Sequence, residues 1–436
     1  MRYLLLSIGT RGDMEPFLAI GQLLQTQGHE VHCAMPAQFG ALVEDAGFVF
    51  HPLDRRFMAL IEGAAGRAIM GQQGNRLSRI VQLFRLSLSS MSIQKNILAE
   101  QREYIQSLQP DQIVYHPKCI YGRVWAMQHP TRASLISPIP CWLHPVKAYP
   151  HIAITWPMRE KNNLRSYRII NGITAYMTSR FTRRYANDFP EITLHKRTIL
   201  TFMQQQERTL YTVSPSLFQR PDYWPESAQV IGYLERKKTT NWQPSAELVD
   251  FIEANQNKAA GITFITFGSM VNANPARTTR IILSVLAQRK IPAIINTSSG
   301  GLVRPADAAN YHEHIHFVSD VPYEWVFPRV QSVVHHGGSG TTHTALKHGC
   351  ASLIFPHIVD QFFWNRLNHQ LGAGPLGVKI KKLTEASFSS LLLDLRTRES
   401  YRAAARELSL RMQAESTVTE RELLAVLDAN SDTEIG

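Results

Sequence analysis

The stretch VVHHGGSGTTHTALKHG, residues 333–349, brings imidazoles, glycines and small hydroxyl side chains together. QSVVHH predicts a β-strand, and TTHTALKHG has the spacing of a helix that ends at Gly349. GGSG then lies at a strand-to-helix turn, where backbone N–H groups and the positive end of the helix dipole face outward. Glycines let the backbone come close to an anion. We therefore expect Ser339, Gly340 and Thr341 to begin a helix that suits a diphosphate.

Two other interpretations of this stretch, a metal site and a structural turn, compete with the diphosphate site. His335 and His336 are adjacent on a strand, so their side chains point to opposite sides and do not chelate one ion together. No HExxH motif or His/Cys cluster follows, and a metal is not expected. A structural turn around a core histidine is the plainer alternative. A Walker A loop is excluded because GxxxxGK[ST] is absent.

A second polar pair follows the next predicted strand, ASLIFP. Asp360 and Gln361 open a helix, and an aspartate in that position is first of all a candidate N-cap. A carboxylate beside an amide also suits the hydroxyl groups of a sugar. Because successive parallel strands end at one edge of a sheet, we expect this pair close to the glycine turn. A diphosphate site beside a hydroxyl-binding site is what a nucleotide-sugar requires.

The surrounding elements predict an α/β fold with parallel sheets. RYLLLSI is an apolar run typical of a strand buried on both faces, and MEPFLAIGQLLQTQG has helical spacing that ends at Gly28. HEVHCAMP and AQFGALVEDAG repeat the strand and the helix, ending at Gly47. The same alternation resumes with GITFITFGSM and continues to the predicted strands ASLIFP and GVKIKKL. A βαβα start of this kind is typical of a sheet with helices on both faces.

The length of 436 residues favours two domains over one core. The polar stretch ERKKTTNWQPSAE, residues 235–247, is the predicted linker. We predict an amino-terminal domain at 1–234, a carboxyl-terminal domain at 248–412, and a helical segment at 413–436 that can pack back on the first domain. Both domains are predicted to be Rossmann-like, with the ligand in the cleft between them.

The net charge indicates which classes of partner the protein could bind, and the cysteines indicate its cellular compartment. A formal net charge of +11 suits an anionic ligand, nucleic acid or an anionic membrane surface. Four cysteines without CxxC spacing are expected to be reduced, which indicates the cytoplasm. No segment approaches the roughly 18 apolar residues of a membrane span. The basic segment 159–184 is predicted to be helical and either meets the inner face of a membrane or is a solvated face.

HHGGSGTT, followed by Pro356 and then by Asp360-Gln361-Phe362, resembles the donor-binding signature of family 1 of the inverting nucleotide-sugar glycosyltransferases, the UDP-glycosyltransferase superfamily. This family has the two-domain GT-B fold. DVPYEWVFPRVQSVVHHGG, residues 320–338, resembles its loop for the uracil base. IGTRGDMEPFLAIGQLLQTQGHEV is similar to its first strand, catalytic loop and helix. The chain is similar above all to the sterol, lipid and antibiotic-aglycone members, and PSLFQRPDYWPESAQVIGYL resembles the stretch before their linker.

The resemblance implies a role for each matching residue. Asp13 would take the proton of the acceptor, His335 would contact the donor diphosphate, and His336 would pack on the opposite side of the strand. Asp360 and Gln361 would bind the sugar hydroxyls. The other positions assigned to the donor site are Thr10, Arg11, Gly268, Ser269, Val321, Trp325, Gly337, Gly338, Ser339, Gly340 and Thr341. The UDP-sugar is a co-substrate, and no metal or other cofactor is expected.

Asp13 has a competing structural role. It precedes the helix MEPFLAI and would make a good N-cap, and a helix start stabilises the carboxylate and weakens it as a base. A carboxyl with a pKa near the ordinary value of about 3.9 can still accept a proton late in the transition state. The stretch DQIVYHPKCIYG offers no acidic partner for it, and His116 in that stretch is expected to be structural.

The predicted function is transfer of a sugar, glucose, from a UDP-sugar to a hydroxyl of a small apolar acceptor such as a sterol, lipid, or polyketide or phenolic aglycone. Trp125, Trp142, Tyr149 and Trp156 are expected either to line the acceptor pocket or to pack in the core. The alternative is a nucleotide-sugar-binding protein or a GT-B epimerase without transferase activity. Nucleic acid is not an expected partner, because no basic-aromatic module is present.

Overall fold

A computed structural model shows two compact α/β units, Met1–Lys238 with Glu415–Gly436 and Thr239–Ala414. The predicted linker, 235–247, includes residues 238–241, which lie outside the described part of the chain. The residues that the structure describes are 1–56, 76–188, 194–237, 242–256, 261–268, 270, 272, 274–298 and 301–428, with the side chains of 76–91, 416–417 and 428 excepted.

The described part of the first unit contains a seven-stranded parallel sheet of order β3-β2-β1-β4-β5-β6-β7. Its strands are β1 (Arg2–Leu6), β2 (Glu30–Pro36), β3 (Val49–Leu53), β4 (Gln112–Tyr115), β5 (Ala133–Ser137), β6 (Thr209–Tyr211) and β7 (Ala228–Val230). Its helices include α1 (Arg11–Thr26), α2 (Gly40–Glu44), α3 (Arg76–Leu108), α4 (Ile120–Gln128), α5 (Glu160–Arg184) and α6 (Lys196–Thr201). The order places β4 directly beside β1, which decides which loops meet at the edge of the sheet.

Strand β1 shows why its sequence is a continuous apolar run from Tyr3 to Leu6. Tyr3 and Leu5 pack into one hydrophobic cluster, and Leu4 and Leu6 pack into the other. Alternate side chains point to opposite faces, so a strand covered on both faces needs an unbroken apolar run. The cluster around Tyr3 and Leu5 also contains Leu423 and Leu427, so the end of the last helix contributes to this core.

The described part of the second unit contains a five-stranded parallel sheet of order β10-β9-β8-β11-β12. Its strands are β8 (Thr263–Thr266), β9 (Ala293–Asn296), β10 (Ile315–Val318), β11 (Ser332–His335) and β12 (Ala351–Ile354). The remaining helices are α7 (Ala246–Gln256), α8 (Pro275–Gln288), α9 (Tyr323–Val326), α10 (Ser339–Lys347), α11 (Gln361–Gln370), α12 (Glu385–Thr397) and α13 (Glu399–Asp428). His335 pairs with both Thr266 and Ile354, so three strands end in line.

One predicted element is wrong. GVKIKKL does not form a strand; it is irregular and includes a short 3-10 turn at Ile380–Lys382. The backbone N–H of Gly377 donates to Asn365 Oδ1 at 3.0 Å, and its carbonyl accepts from Asn365 Nδ2 at 2.8 Å. A side-chain amide on α11 therefore occupies the backbone groups that a strand ladder would use.

A buried ion pair ties α4 to the sheet of the first unit. Arg123 Nε donates to Glu207 Oε1 at 2.7 Å, and Tyr115 Oη donates to the same oxygen at 2.6 Å. The side chains of Arg123 and Glu207 are 5% and 0% exposed. Two charges withdrawn from water in this way depend on each other, because loss of either partner leaves the other uncompensated.

We expect Glu207→Gln to lower the free energy of unfolding by about 3–5 kcal/mol, because it leaves the Arg123 guanidinium buried without a counter-charge. The measurement is urea unfolding followed by circular dichroism. Asp188→Asn is the matched control in the same unit, since it removes a half-exposed pair with Lys95 at 2.8 Å; it should cost at most about 1 kcal/mol. Equal losses for the two variants would show that the buried pair has no special weight.

Candidate functional site

The turn between β1 and α1 holds the carboxylate of Asp13. Thr10 is the N-cap residue of α1; its backbone N–H donates to Asp13 Oδ2 at 2.7 Å, and its hydroxyl donates to the same oxygen at 3.1 Å. Gly9 has φ +147°, and a Cβ there would lie 2.1 Å from Asp13 Oδ2. A glycine is therefore required for the carboxylate to turn back over the loop.

A second loop, after β4, supplies two further contacts to Asp13. His116 Nε2 lies 3.1 Å from Asp13 Oδ1, and Lys118 Nζ lies 3.5 Å from the same oxygen. The Lys118 backbone N–H donates to His116 Nδ1 at 3.3 Å, which leaves the ring hydrogen on Nε2. The geometry falls short of a regular hydrogen bond, so this is a weak polar contact between a neutral ring and the carboxylate.

His116, which the sequence predicts to be structural, lies beside Asp13. Because β4 pairs with β1, the residue that follows β4 must lie beside the turn that follows β1. The His116 backbone N–H donates to the Leu6 carbonyl at 2.9 Å, which extends the pairing to the loop itself. The strand order was the signal that could have found His116, but strand order is not a local property of the sequence.

These contacts and the burial of the site determine the charge states of Asp13 and His116. Burial by itself raises the pKa of Asp13, but the Lys118 cation, His116 and the Thr10 N–H outweigh it and hold that pKa well below its usual range. Burial lowers the pKa of His116, which keeps the ring neutral. The Asp13 side chain is 14% exposed. It is therefore an ionised carboxylate with a narrow opening to solvent.

Of the four aromatic residues considered for the acceptor, Trp142 lies nearest this carboxylate. Its ring meets His116 edge-on at 5.4 Å, and Lys118 Nζ lies 5.7 Å from its centroid. Trp125 stacks on His129 at 4.4 Å in the core, Tyr149 is buried, and Trp156 is exposed. Core packing is thus the better description of Trp125 and Tyr149.

The two remaining positions assigned to this loop already have partners. Thr10 binds Asp13, as described above. Arg11 is exposed and its Nε donates to Glu15 Oε1 at 3.1 Å; Glu15 also accepts from Arg236 Nε at 3.0 Å. A contact between Arg11 and a ligand would have to replace a surface ion pair, which costs little.

In the second unit, β11 ends at His335, which is completely buried. The Gly337 backbone N–H donates to His335 Nδ1 at 3.2 Å, so the ring hydrogen is on Nε2. Among the described residues, Nε2 has no hydrogen-bond partner. Burial lowers the pKa of His335 to about 3, so the ring is neutral. A buried donor left unsatisfied in this way is one that a ligand can satisfy.

His336 lies against the glycines of the predicted phosphate site. A Cβ at Gly268 would approach His336 Cε1 to 2.7 Å, and one at Gly338 would approach Nε2 to 2.5 Å. The rings of His335 and His336 are 6.4 Å apart and nearly perpendicular, as expected for neighbours on a strand. His336 does pack, as the sequence predicts, but it packs on the site itself and is the reason for both glycines.

The start of α10 has the geometry of an anion site. The helix begins at Ser339, and its first backbone bond joins Thr342 N–H to the Gly338 carbonyl at 2.9 Å. The N–H groups of Ser339, Gly340 and Thr341 precede this bond and point out of the helix end. With the helix dipole they favour a negative charge there.

The pair Asp360 and Gln361 stands at the start of α11, next to β12. Gln361 Oε1 accepts from the His357 N–H at 2.8 Å and from the Ile358 N–H at 3.1 Å, so its NH₂ group is what remains for a ligand. Asp360 occupies the N-cap position without a side-chain cap bond. Val359 before it has φ +36°, a conformation that a β-branched residue rarely adopts and that is typical of functional sites.

Two neighbouring residues were not found from the sequence. His357 Nδ1 donates to the Phe355 carbonyl at 2.9 Å, its Nε2 lies 2.8 Å from Asn272 Oδ1, and its ring lies 6.5 Å from that of His336. Burial lowers the pKa of His357 to about 4. No local motif marks these residues, because the contact with Asn272 joins positions 85 residues apart.

In the loop assigned to the uracil base, residues 320–338, Val321 and Trp325 pack against neighbouring side chains. Val321 is part of a hydrophobic cluster, which leaves its main chain as the part available to a ligand. Trp325 meets Trp242 edge-on at 5.1 Å, and the Arg329 guanidinium lies 4.4 Å from the Trp325 ring centroid. If the uracil base stacked on Trp325, it would have to share the Trp325 ring with the Arg329 guanidinium. Ser269 lies outside the described residues.

The described ranges contain neither a metal-binding cluster nor a membrane-spanning helix. No three His, Cys, Asp or Glu side chains converge there as a metal site would require. None of the described helices is both long enough and apolar enough to span a bilayer.

Two family models match parts of the chain. Residues 3–116 match the family described as the glycosyltransferase family 28 N-terminal domain. Residues 303–425 match the erythromycin biosynthesis protein CIII-like C-terminal domain. These ranges contain the Asp13 loop and the α10 start respectively.

Curated relatives include sterol 3-beta-glucosyltransferases. UGT80B1 of Arabidopsis thaliana is 31% identical over 89% of this chain and 62% of its own length. UGT80A2 of the same plant is 29% identical over 88% and 59%. The enzyme of Eremothecium gossypii is 27% identical over 95% and 33%. The chain thus spans about three fifths of the Arabidopsis relatives and about a third of the Eremothecium one.

Solved structures show the same fold at lower identity. The calicheamicin glycosyltransferase CalG4 superposes with a TM-score of 0.71 at 16% identity, covering 98% of both chains. The glycosyltransferase VinC, solved with dTDP, superposes with a TM-score of 0.66 at 17% identity, covering 98% of this chain and all of its own. These superpositions show that the chain has the GT-B fold of the solved glycosyltransferases, and the two domain matches and the sterol glucosyltransferase relatives are similar to it in sequence.

Proposed function

We propose that the chain transfers glucose from UDP-glucose to a hydroxyl of a small apolar acceptor, of the sterol or aglycone type. The observation that carries the proposal is the ionised, slightly open Asp13 carboxylate at the end of β1. The relatives named sterol 3-beta-glucosyltransferases support a sterol-like acceptor and glucose. We assign the acceptor to the first unit, which holds Asp13, and the donor to the second, which holds the α10 start.

In the proposed reaction the acceptor hydroxyl gives its proton to Asp13 as its oxygen attacks the anomeric carbon. The bond from that carbon to the diphosphate breaks on the opposite side, so an α-linked donor gives a β-linked product. The low pKa makes Asp13 a weak base, and proton transfer therefore comes late in the transition state. Lys118 and His116 act as positioning residues that keep the carboxylate ionised.

We propose that the leaving UDP is stabilised by protein donors, without a bound metal. The N–H groups at the α10 start and the buried Nε2–H of His335 are placed for developing negative charge. The NH₂ of Gln361 and the carboxylate of Asp360 are assigned to the sugar hydroxyls. Hydrogen-bond donors that are fixed before the reaction need no reorganisation, which is the physical advantage of such a site.

We also propose that the protein works in the cytoplasm at the inner face of a membrane, through the basic segment 159–184. Its positive charge and an apolar acceptor support this location. The four free cysteines, all buried, are compatible with a reducing compartment.

Asp13→Asn should lower the rate of glucosyl transfer about 10²–10⁴-fold, because an amide cannot accept the proton. UDP binding, measured by calorimetry, should be unchanged, since Asp13 is assigned to the acceptor and the diphosphate contacts at the α10 start belong to the second unit. The transfer assay uses UDP-glucose with a detergent-dispersed sterol and mass detection. Full transfer by Asp13→Asn would exclude Asp13 as the base, and UDP binding by a wild-type protein inactive on all acceptors would favour a binding protein.

Gly338→Ala should weaken UDP binding about tenfold or more, because the added Cβ lies 2.5 Å from His336 Nε2 and displaces the ring. Gly172→Ala, where a Cβ meets nothing within 4 Å, is the control and should bind UDP normally. Calorimetric titration with UDP measures both. Normal affinity in Gly338→Ala would place the diphosphate elsewhere.

Lys118→Met should move the acid limb of the kcat/KM profile to higher pH. The Lys118 cation lowers the pKa of Asp13, and the base is active only while it is ionised, above that pKa. The wild type should therefore stay active well below pH 5, and the variant should lose activity at a higher pH. Lys147→Met, on an exposed lysine of the same unit, should leave the profile unchanged. An unshifted acid limb in Lys118→Met would contradict the assigned interaction.

A further inference from the structure

Helix α5 turns an apolar face toward solvent. Ile169, Ile173, Tyr176 and Met177 are 48%, 53%, 44% and 53% exposed. Their spacing of four, three and one residues puts them on one side of an α-helix. These four residues are called the apolar stripe below.

The opposite face of α5 is buried and largely polar. Asn163 Nδ2 donates to the Lys147 carbonyl, Asn171 Nδ2 to the Leu143 carbonyl, and Ser179 Oγ to the Leu194 carbonyl, each at 2.8 Å. Rotating the helix to bury the apolar stripe would break these bonds and leave buried carbonyls unsatisfied. The outward direction of the stripe is therefore imposed by hydrogen bonds on the other side.

Basic side chains stand at both ends of the stripe. From 161 to 187 the sequence contains six Lys or Arg residues and no Asp or Glu. All six are exposed: Lys161, Arg165, Arg168, Arg180, Arg183 and Arg184. The loop that leads into the helix exposes 59% of Trp156, a residue that favours membrane interfaces. An apolar stripe flanked by cations is the composition of a helix that lies in an anionic membrane interface.

We propose that α5 binds the surface of an anionic phospholipid bilayer by inserting the apolar stripe among the acyl chains. The flanking arginines and lysine then contact lipid phosphates. A second copy of this chain fits the surface less well, because a two-fold contact would bring two sets of six positive charges together. Anionic lipid neutralises those charges instead.

The same helix is connected to the Asp13 site through one loop. The Leu143 carbonyl that Asn171 holds is adjacent to Trp142, whose ring contacts His116. A helix lying in the membrane thus positions the loop that borders the carboxylate. This step rests on the proposed function. With α5 in the membrane, the apolar acceptor passes from the lipid to Asp13 within the first unit.

The test is sedimentation of the full chain with vesicles of phosphatidylcholine, alone or with 30% phosphatidylglycerol added. The wild type should partition onto the anionic vesicles at least about tenfold better than onto the neutral ones, and less so at high salt. Ile173→Glu combined with Met177→Glu should lower that partition about tenfold or more, since charged groups cannot enter the acyl region. Leu410→Glu, at a 70% exposed leucine of α13, is the control and should bind as the wild type does.

Transfer assays separate this inference from the proposed function. The double variant should keep wild-type activity on detergent-dispersed sterol and lose it on sterol embedded in anionic vesicles. Loss of both activities would make the stripe part of the acceptor pocket and overturn the inference. A wild-type dimer that the double variant dissociates, seen by analytical ultracentrifugation, would assign the stripe to a second copy. A wild type that binds anionic vesicles but transfers no sugar would sustain the inference and defeat the proposed function.

Discussion

The arrangement in the first unit depends on keeping one nearly enclosed carboxylate ionised. An aspartate with 14% of its side chain exposed would be partly neutralised by burial alone, and its pKa would rise. Asp13 escapes this because the Thr10 N–H, His116 and Lys118 surround it on the protein side. Those partners come from two loops that only a β4-β1 pairing brings together.

The first unit holds a negatively charged side chain, whereas the second unit offers hydrogen-bond donors to a negatively charged ligand. The α10 start and the His335 donor prepare a place for negative charge, while the neighbouring histidines are kept neutral by burial. Close backbone approach is what makes this possible. His336 fills the space that side chains at Gly268 and Gly338 would take. The turn after the first strand of each unit contains a glycine with positive φ, Gly9 or Gly268, and the side chain of Asp13 or of His336 occupies the place of the missing Cβ.

Many of the strands, helix ends and turns could be predicted from the sequence because they depend on local residues. A strand covered on both faces, a glycine after a helix and a small-residue turn before α10 are each determined by a few adjacent residues, and Gly28 and Gly47, just beyond α1 and α2, do have positive φ. What could not be predicted depends on long-range contacts. His116 meets Asp13 through strand order, and Asn365 removes the backbone partners that GVKIKKL would need as a strand.

Helix α5 shows a different limit of prediction. Its sequence correctly indicates a long basic helix, but the usual rule would turn Ile169, Ile173 and Tyr176 inward. Asn163, Asn171 and Ser179 reverse that choice, because each one donates to a carbonyl of a loop whose position the sequence does not reveal. Local periodicity therefore identifies the helix, whereas distant hydrogen bonds decide which face it exposes.

We propose above that Asp13 drives a single displacement on a UDP-sugar. The most direct measurement is the anomeric configuration of the product, determined by NMR after incubation with α-linked UDP-glucose and a sterol. The account predicts a β-glucoside formed together with one equivalent of UDP. An α-glucoside, or UDP and free glucose without a glucoside, would contradict it.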